Sequence, residues 1–362
     1  MSKKIGIVVV GVGRWGVHFV RQFSQNTQTN LVAIVDRNQK KLPEVQQQFN
    51  LDLSSVVLAK DWSEVRELPG IQAVVIATPA STHYSLIKDA LNQGYHVLAE
   101  KPLTLDPEEC LELCQLAEQK QRQLMVDHTY LFHPAVQRGK EAIAALGKLR
   151  YGYATRTHLG PVRSDVDALW DLAIHDICIF NFWLGETPIQ VQATGKIWLQ
   201  PSFDAANSNT PQEIPTKNKL FPQGLADFIT VTLTYPSGFE ARIHLCWCNP
   251  DKQRRLCVVG SQGTLIFDEM SPNAPLMIQH GSLENIAESW QTVGQRSEVI
   301  AVQPGEPLCL VCDRFLDLVI NPNQATETLV ISSAWLGGKL VQILTALSQS
   351  LNQGGIPIKI SG

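Results

Sequence analysis

The sequence predicts an α/β plus α+β protein of two domains: a parallel sheet covered by helices on both faces, then a domain built mainly on antiparallel strands. Three observations predict it. The first 127 residues alternate short, β-branched apolar runs with helical stretches, the pattern of βαβ units. From about residue 148 the chain changes to longer alternating segments divided by turn sequences such as Pro236-Ser237-Gly238 and Ser261-Gln262-Gly263, which join antiparallel neighbours. A length of 362 residues exceeds what one typical core organises,. The expected domains are residues 1–127 and 128–362.

In the first domain the expected strands are 5–10, 31–35, 73–76, 96–99 and 124–126, with helices at 15–25, 40–49, 83–93 and 107–121. The strands are apolar nearly throughout, as strands buried on both faces must be. The last helix carries a start signal: Asp106 to cap it, Pro107 in its first turn and Glu109 to complete a capping box,. In the second domain strands are expected at 149–158, 189–199, 227–235, 240–248, 255–259 and 264–267. A strongly apolar helix at 169–184 ends at Gly185,. Residues 201–224, rich in Pro, Asn, Ser and Thr, read as an excursion from the core,. Helices at 308–320 and 331–352 and a strand at 356–360 close the chain.

Composition narrows the class. With 44% hydrophobic and 18% charged residues the chain reads as an ordinary soluble globular protein,. A net charge of −4 gives no support for a nucleic-acid or anionic-membrane partner,. The start runs directly into the first strand, so no signal peptide is expected,. The longest apolar stretch near the C-terminus is broken by Gly337-Gly338-Lys339, short of the roughly 20 residues a membrane span needs. A cytoplasmic protein is expected. Of eight cysteines, Cys309 and Cys312 form a CxxC with no second half-site, so buried thiols and no metal are expected.

Gly11, Gly13 and Gly16, with Arg14 and Trp15 among them, have GxGxxG spacing between a strand and a helix. The first glycine allows a tight turn, the second lets backbone approach a pyrophosphate, and the third lets helix and strand pack closely. The helix N-terminus adds N–H donors for phosphate. Asp36 ends the next strand about twenty residues after Gly16, where a carboxylate binds ribose hydroxyls,. That favours NAD; Arg37, able to hold a 2′-phosphate, keeps NADP open,. The stretch Ala77-Thr78-Pro79-Ala80-Ser81-Thr82-His83 follows another strand, either lining the nicotinamide half of the cofactor or forming a helix-entry loop,.

Two clusters carry candidate chemistry. Glu100-Lys101-Pro102 follows a parallel strand, so Lys101 stands where open α/β sheets place ligands,. An oxidised nicotinamide beside it would lower its pKa and make it a better acid–base group. Glu100 orients Lys101 or the cofactor in this reading. Asp167, Asp171 and His175 recur at i, i+4, i+8, one face of an α-helix that is otherwise apolar,. Polar groups buried there need a reason, catalysis or a structural Asp–His pair. Arg163 is a candidate for an anionic substrate group, or else a loop arginine in solvent,.

Taken together, Gly11-Val-Gly13-Arg-Trp-Gly16, Ala77-Thr78-Pro79 with His83, Glu100-Lys101-Pro102 and Asp171-Leu-Ala-Ile-His175-Asp176 resemble the glucose–fructose oxidoreductase / inositol dehydrogenase (Gfo/Idh/MocA) family. The stretch Glu306-Pro-Leu to Phe315-Leu-Asp317 resembles the family's returning helix. The resemblance implies a Rossmann fold followed by a domain on a large open, mainly antiparallel sheet whose exposed face often makes a homodimer or homotetramer. It implies that Lys101, Asp171 and His175 line the reaction centre. Hydride transfer between NAD(P) and a secondary alcohol of a sugar, nucleotide sugar or cyclitol is the expected activity. A non-sugar substrate and a non-catalytic dinucleotide sensor are the alternatives. Residues 201–224 and the run from Gly160 to Asp167 are not shared by all branches; the latter resembles members from nucleotide-sugar and polysaccharide pathways.

Overall fold

The computed structural model describes residues 4–201, 220–286, 288–321 and 331–360. Two compact units emerge: Met1–Thr129 with Glu306–Val341, and Tyr130–Gly305 with Gln342–Gly362.

The first unit holds a six-stranded parallel sheet, β1 (Ile5–Val10), β2 (Thr29–Val35), β3 (Val57–Ala59), β4 (Ile71–Ile76), β5 (His96–Glu100) and β6 (Leu124–Asp127), in the order β3-β2-β1-β4-β5-β6. All of β1 and most of β2, β4 and β5 is buried, which is why these strands are apolar without alternation,. Helices α1 (Gly16–Gln25), α2 (Lys41–Gln48), α3 (His83–Asn92) and α4 (Pro107–Gln119) make the crossovers. Helix α7 (Pro307–Ile320) belongs to the same unit, tied to α1 by Asn26 Nδ2 donating to Asp313 Oδ1 at 3.1 Å and by the Arg21–Glu306 ion pair. Strand order reverses between β1 and β4, so the carboxyl ends of those strands frame the ligand-binding crevice of such a sheet,.

Two local expectations change. Strand β3 was not expected; it is only three residues long and partly exposed, too short for a periodic signal. Asp106 does cap α4, accepting from the Glu108 N–H at 2.7 Å, but the capping box does not close. The Asp106 N–H donates to Thr104 Oγ1 at 3.1 Å, leaving Glu109 nothing to reciprocate.

The second unit is built on a nine-stranded sheet: β7 (Leu149–Leu159), β8 (Gln190–Lys196), β11 (Phe228–Thr234), β12 (Glu240–Cys246), β13 (Cys248–Gly260), β14 (Gly263–Asp268), β15 (Leu276–Ile286), β16 (Ser289–Val299) and β17 (Ile358–Lys359). Its order is β16-β15-β14-β13-β7-β12-β11-β8-β17. Only the β7–β12 pair is parallel. Alternating burial along β11 and β12 gives the sheet one covered face. Helix α6 (Ile174–Leu184) lies against it, with Asn181 Oδ1 accepting from the Tyr235 hydroxyl at 2.9 Å. Helix α5 (Pro134–Ala142) packs on α6, its Val136 carbonyl accepting from Trp183 Nε1 at 2.8 Å.

The β15–β16 hairpin and α5 were not expected. Strand β16 is exposed nearly throughout, so it carries no apolar alternation to read,. At the base of the expected excursion, β9 (Gln200–Pro201) and β10 (Gly224–Leu225) pair antiparallel; residues 202–219 lie outside the described residues. Helix α8 (Ala334–Asn352) is shared between the units at Val341 and Gln342. Among the described residues no helix is long and apolar enough to cross a membrane.

Candidate active site

In the first unit, Gly11 turns the chain out of β1 with φ +89°, a conformation that disfavours any side chain,. A Cβ on Gly16 would lie 1.8 Å from the Gly11 carbonyl oxygen, so α1 can start this close to β1 only with glycine there. A Cβ on Gly13 would meet nothing within 4 Å. The glycine that is to face a pyrophosphate therefore opens on space, beside the N-terminus of α1. Arg14 and Trp15 precede that helix, and Trp15 is exposed, its indole edge-on to His18.

A cavity of ≈ 600 Å³ begins at this turn and is lined by Gly11, Gly13, Asp36, Arg37, Thr78 and Pro79 among others. Its size suits the adenosine half of a dinucleotide. Asp36 is fixed for the purpose: Oδ2 accepts from the Val12 N–H at 2.9 Å and Oδ1 from the Asn38 N–H at 2.8 Å. Arg37, Lys41 and Lys60 line the same cavity. These residues fit a bound NAD.

His83 is the first residue of α3, at the end of the stretch read either as a cofactor wall or as a helix entry. It is 1% exposed, with Nδ1 2.9 Å from the Pro102 carbonyl oxygen and Nε2 2.9 Å from that of Thr78. A ring engaged on both nitrogens inside the core acts by joining two loops, the one after β4 and the one after β5. Thr78 Oγ1 in turn accepts from Thr82 Oγ1 at 2.7 Å. The Lys101–Pro102 peptide on the second loop is cis.

Lys101 leaves β5 half-buried, its N–H donating to Glu100 Oε2 at 3.2 Å. Glu100 is in register with Asp127 on β6, so the dipeptides Glu100-Lys101 and Asp127-His128 end adjacent strands. Asp127 and His128 are almost wholly buried. Burial raises the Asp127 carboxyl to about 6 against the opposing effects of Thr129 and Lys101. Burial, then the Lys101 charge, lowers the His128 imidazole to about 3.

In the second unit Asp167, Asp171 and His175, expected along one α-helix, fall on three different local structures. Asp167 stands ahead of the helix as a cap, Oδ1 accepting from the Trp170 N–H at 3.1 Å,. Residues Leu169–Ala173 make a π-helical turn and the α-helix begins only at Ile174. A π turn is wider than an α turn, so the three residues do not follow one α period. Asp171 sits inside that turn and His175 on the first turn of α6, both half-buried.

Arg163 is not a solvated loop residue. Its fork grips Asp165, Nε to Oδ1 at 2.9 Å and Nη2 to Oδ2 at 2.6 Å, while Nη1 donates to Asp171 Oδ1 at 3.3 Å. Burial would raise Asp165, but Arg163 outweighs it and holds the carboxyl below its ordinary value. Two carboxylates already meet the charge that was one candidate for an anionic substrate group. Burial of Asp167, opposed by backbone N–H groups, pushes its carboxyl up to about 7.

Sequence reasoning missed a second set of residues here. The His175 ring packs on Tyr130 with centroids 4.9 Å apart. The Tyr130 hydroxyl donates to Glu269 Oε2 at 2.5 Å and accepts from Arg156 Nη1 at 2.8 Å and Arg254 Nη1 at 3.2 Å. Arg156 also grips Asp176, the residue after His175, through two 2.9 Å bonds. The one local signal was Asp176 itself, a carboxylate on a mainly apolar helix.

Comparison with known proteins agrees with this architecture. A family model described as an oxidoreductase family with an NAD-binding Rossmann fold matches residues 5–128, and a GFO/IDH/MocA C-terminal domain model matches residues 138–266. An uncharacterized oxidoreductase of Synechocystis sp. is 34% identical over 284 residues, 74% of this chain and 72% of that protein. The UDP-N-acetylglucosamine 3-dehydrogenase of Acidithiobacillus ferrooxidans is 32% identical over 201 residues, 55% of this chain and 61% of that one, under two thirds of its length. A solved structure of that dehydrogenase covers 97% of this chain and 99% of its own at 22% identity, with a TM-score of 0.75, a likeness of fold. The scyllo-inositol 2-dehydrogenase (NAD(+)) of Bacillus subtilis is 26% identical over 330 residues, 89% of this chain and 88% of that one. With both family models matched in order and the dinucleotide turn built as such a fold requires, the chain belongs to the Gfo/Idh/MocA family of oxidoreductases and carries its NAD-binding Rossmann domain.

Proposed function

We propose that this oxidoreductase reversibly converts a secondary alcohol of a sugar, nucleotide sugar or cyclitol to the ketone. The observation that carries the proposal is the position of Lys101, directly after β5 at the carboxyl edge of the NAD-binding sheet, where a substrate belongs in this fold,. Relatives that act on UDP-N-acetylglucosamine and on scyllo-inositol support the substrate class.

Gly11, Gly13, Arg14, Trp15, Gly16, Asp36, Arg37, Thr78 and Pro79 hold the cofactor in this reading, and Glu100 orients Lys101. Bound NAD supplies the hydride acceptor. His175 takes the hydroxyl proton of the substrate, Asp171 orients a substrate hydroxyl or the imidazole, and Lys101 polarises the oxygen. Arg163 contributes by fixing Asp171 through its 3.3 Å bond. The first unit is then the cofactor domain and the second the substrate domain. A homodimer or homotetramer in the cytoplasm completes the proposal.

The test is NADH and NADPH absorbance in both directions across a panel of polyols, free sugars and UDP-sugars. Turnover of a ring alcohol with NAD is expected. Tight NAD(H) binding without turnover on any of them overturns the proposal in favour of a sensor.

A further inference from the structure

Tyr130 is over-determined. Its hydroxyl has one proton and two lone pairs, and all three are used, by Glu269, Arg156 and Arg254,. Arg254 also binds both Glu269 oxygens, at 3.1 and 3.2 Å, and Arg156 is held at its other end by Asp176. The Arg156 guanidinium carbon lies 4.5 Å from the centroid of the Tyr130 ring. Phe267 meets that ring edge-on at 6.4 Å and the His133 ring at 5.1 Å. Two guanidinium and two carboxylate groups balance, so the cluster is neutral in sum.

Such a network costs a buried sheet several polar groups that an apolar core would not need. What it holds still is one phenol ring, and the imidazole of His175 is among the groups that pack on that ring. We propose that Tyr130 is a positioning residue for His175: its anchored ring keeps the imidazole in one orientation whether neutral or protonated. This rests on the reading of His175 as the group that takes the substrate proton. A phenol face also favours a cation beside it, so the ring supports the protonated state that follows the transfer. Asp176 extends the same logic along the backbone, because Arg156 ties Tyr130 to the residue that follows His175. The charged groups around the pair are Arg156 on β7, Arg254 on β13, Glu269 after β14, Asp176 on α6 and Asp171 on the π turn.

The experiment is a histidine-selective NMR titration of the full chain, with His175 assigned by His175→Gln, in the wild type, Tyr130→Leu and Tyr130→Phe. Tyr130→Leu removes the ring and is expected to lower the titration midpoint of His175 by about half a pH unit and to average its tautomers. Tyr130→Phe keeps the ring without its anchors; the expected shift is in the same direction but smaller, with broadened ring signals. Unchanged midpoint and line widths in the folded variants, Tyr130→Phe alone serving if Tyr130→Leu does not fold, overturn the proposal. Oxidation of scyllo-inositol and UDP-N-acetylglucosamine by His175→Gln separates the two ideas. Retained turnover there overturns the role of His175 as base, while the titration still judges what Tyr130 does to it.

Discussion

Arg156 and Asp176 form a two-pronged ion pair with both side chains almost wholly buried, at 2.9 Å for each bond. Burial penalises the Arg156 charge, but Asp176 and the Tyr130 hydroxyl more than compensate, so the guanidinium is held more firmly protonated than usual. Removing one partner strands the other charge. Asp176→Ala is therefore expected to destabilise the protein by about 3–5 kcal/mol. The double variant Arg156→Met/Asp176→Leu is expected to lose less than Asp176→Ala or Arg156→Met alone. Denaturant unfolding of all three checks this, and additive losses would show that the pair is not coupled.

His83 links Thr78 and Pro102 through its two ring nitrogens. A neutral imidazole can donate to one of those carbonyls and a protonated one to both. In His83→Ala the loops after β4 and β5 lose their common anchor. The expected result is a stability loss of about 1–3 kcal/mol together with a higher KM for NAD. An unchanged KM for NAD at wild-type stability would mean that the two loops hold their places without it.

The motifs that read correctly from sequence are those whose chemistry is local. Gly11, Gly13 and Gly16 sit within one turn, and Asp106 and Pro107 start α4 as expected. Lys101 directly follows a strand, ending at Glu100, that its own residues define. The candidate site in the second unit was only half legible. Asp171 and His175 are named by their spacing, but their helical stripe was drawn with an α period through a segment that makes a π turn, and nothing in Leu169–Ala173 announces one. Tyr130 and Glu269 lie 139 residues apart in sequence, so their bond has no local pattern. Arg163 and Asp165 are neighbours whose pairing follows from proximity alone, yet an arginine read for its charge is read without its partners.

Lys101 and His175 carry the proposed proton chemistry, so their loss should appear in turnover rather than in folding. Lys101→Ala and His175→Ala are each expected to lower kcat by roughly 10²–10⁴-fold. Circular dichroism should remain as in the wild type. Near-wild-type kcat in both would remove these residues from the mechanism.

Asp36 accepts from the Val12 and Asn38 N–H groups and faces a cavity that Arg37, Lys41 and Lys60 also line. Its carboxylate is what disfavours a 2′-phosphate among those cations. Charge-assisted hydrogen bonds contribute about 1.5–3 kcal/mol. Asp36→Ser is thus expected to weaken NAD binding by roughly 10–100-fold and to improve NADP in relative terms. Calorimetric titration with both cofactors measures it, and an unchanged NAD/NADP ratio would contradict the assignment of Asp36.

Asp167 gives a prediction whose sign is opposite to that of a salt-bridged carboxylate. Burial raises its folded-state value from 3.8 to about 7. Between those two values the folded chain keeps a proton that the unfolded chain has released, so unfolding is linked to proton loss and stability falls as pH rises. The contribution of Asp167 is fully favourable below about pH 4, declines across pH 4–7 and is lost above about pH 7. Asp167→Asn keeps an oxygen to accept from the Trp170 N–H and cannot ionise,. The advantage of the variant over the wild type is expected to be larger near pH 8 than near pH 5 by a few kcal/mol. Denaturant unfolding at the two pH values decides the point. Equal stability differences at pH 5 and pH 8 would mean that Asp167 is ionised in the folded protein at both, with the backbone N–H groups around it enough to offset its burial.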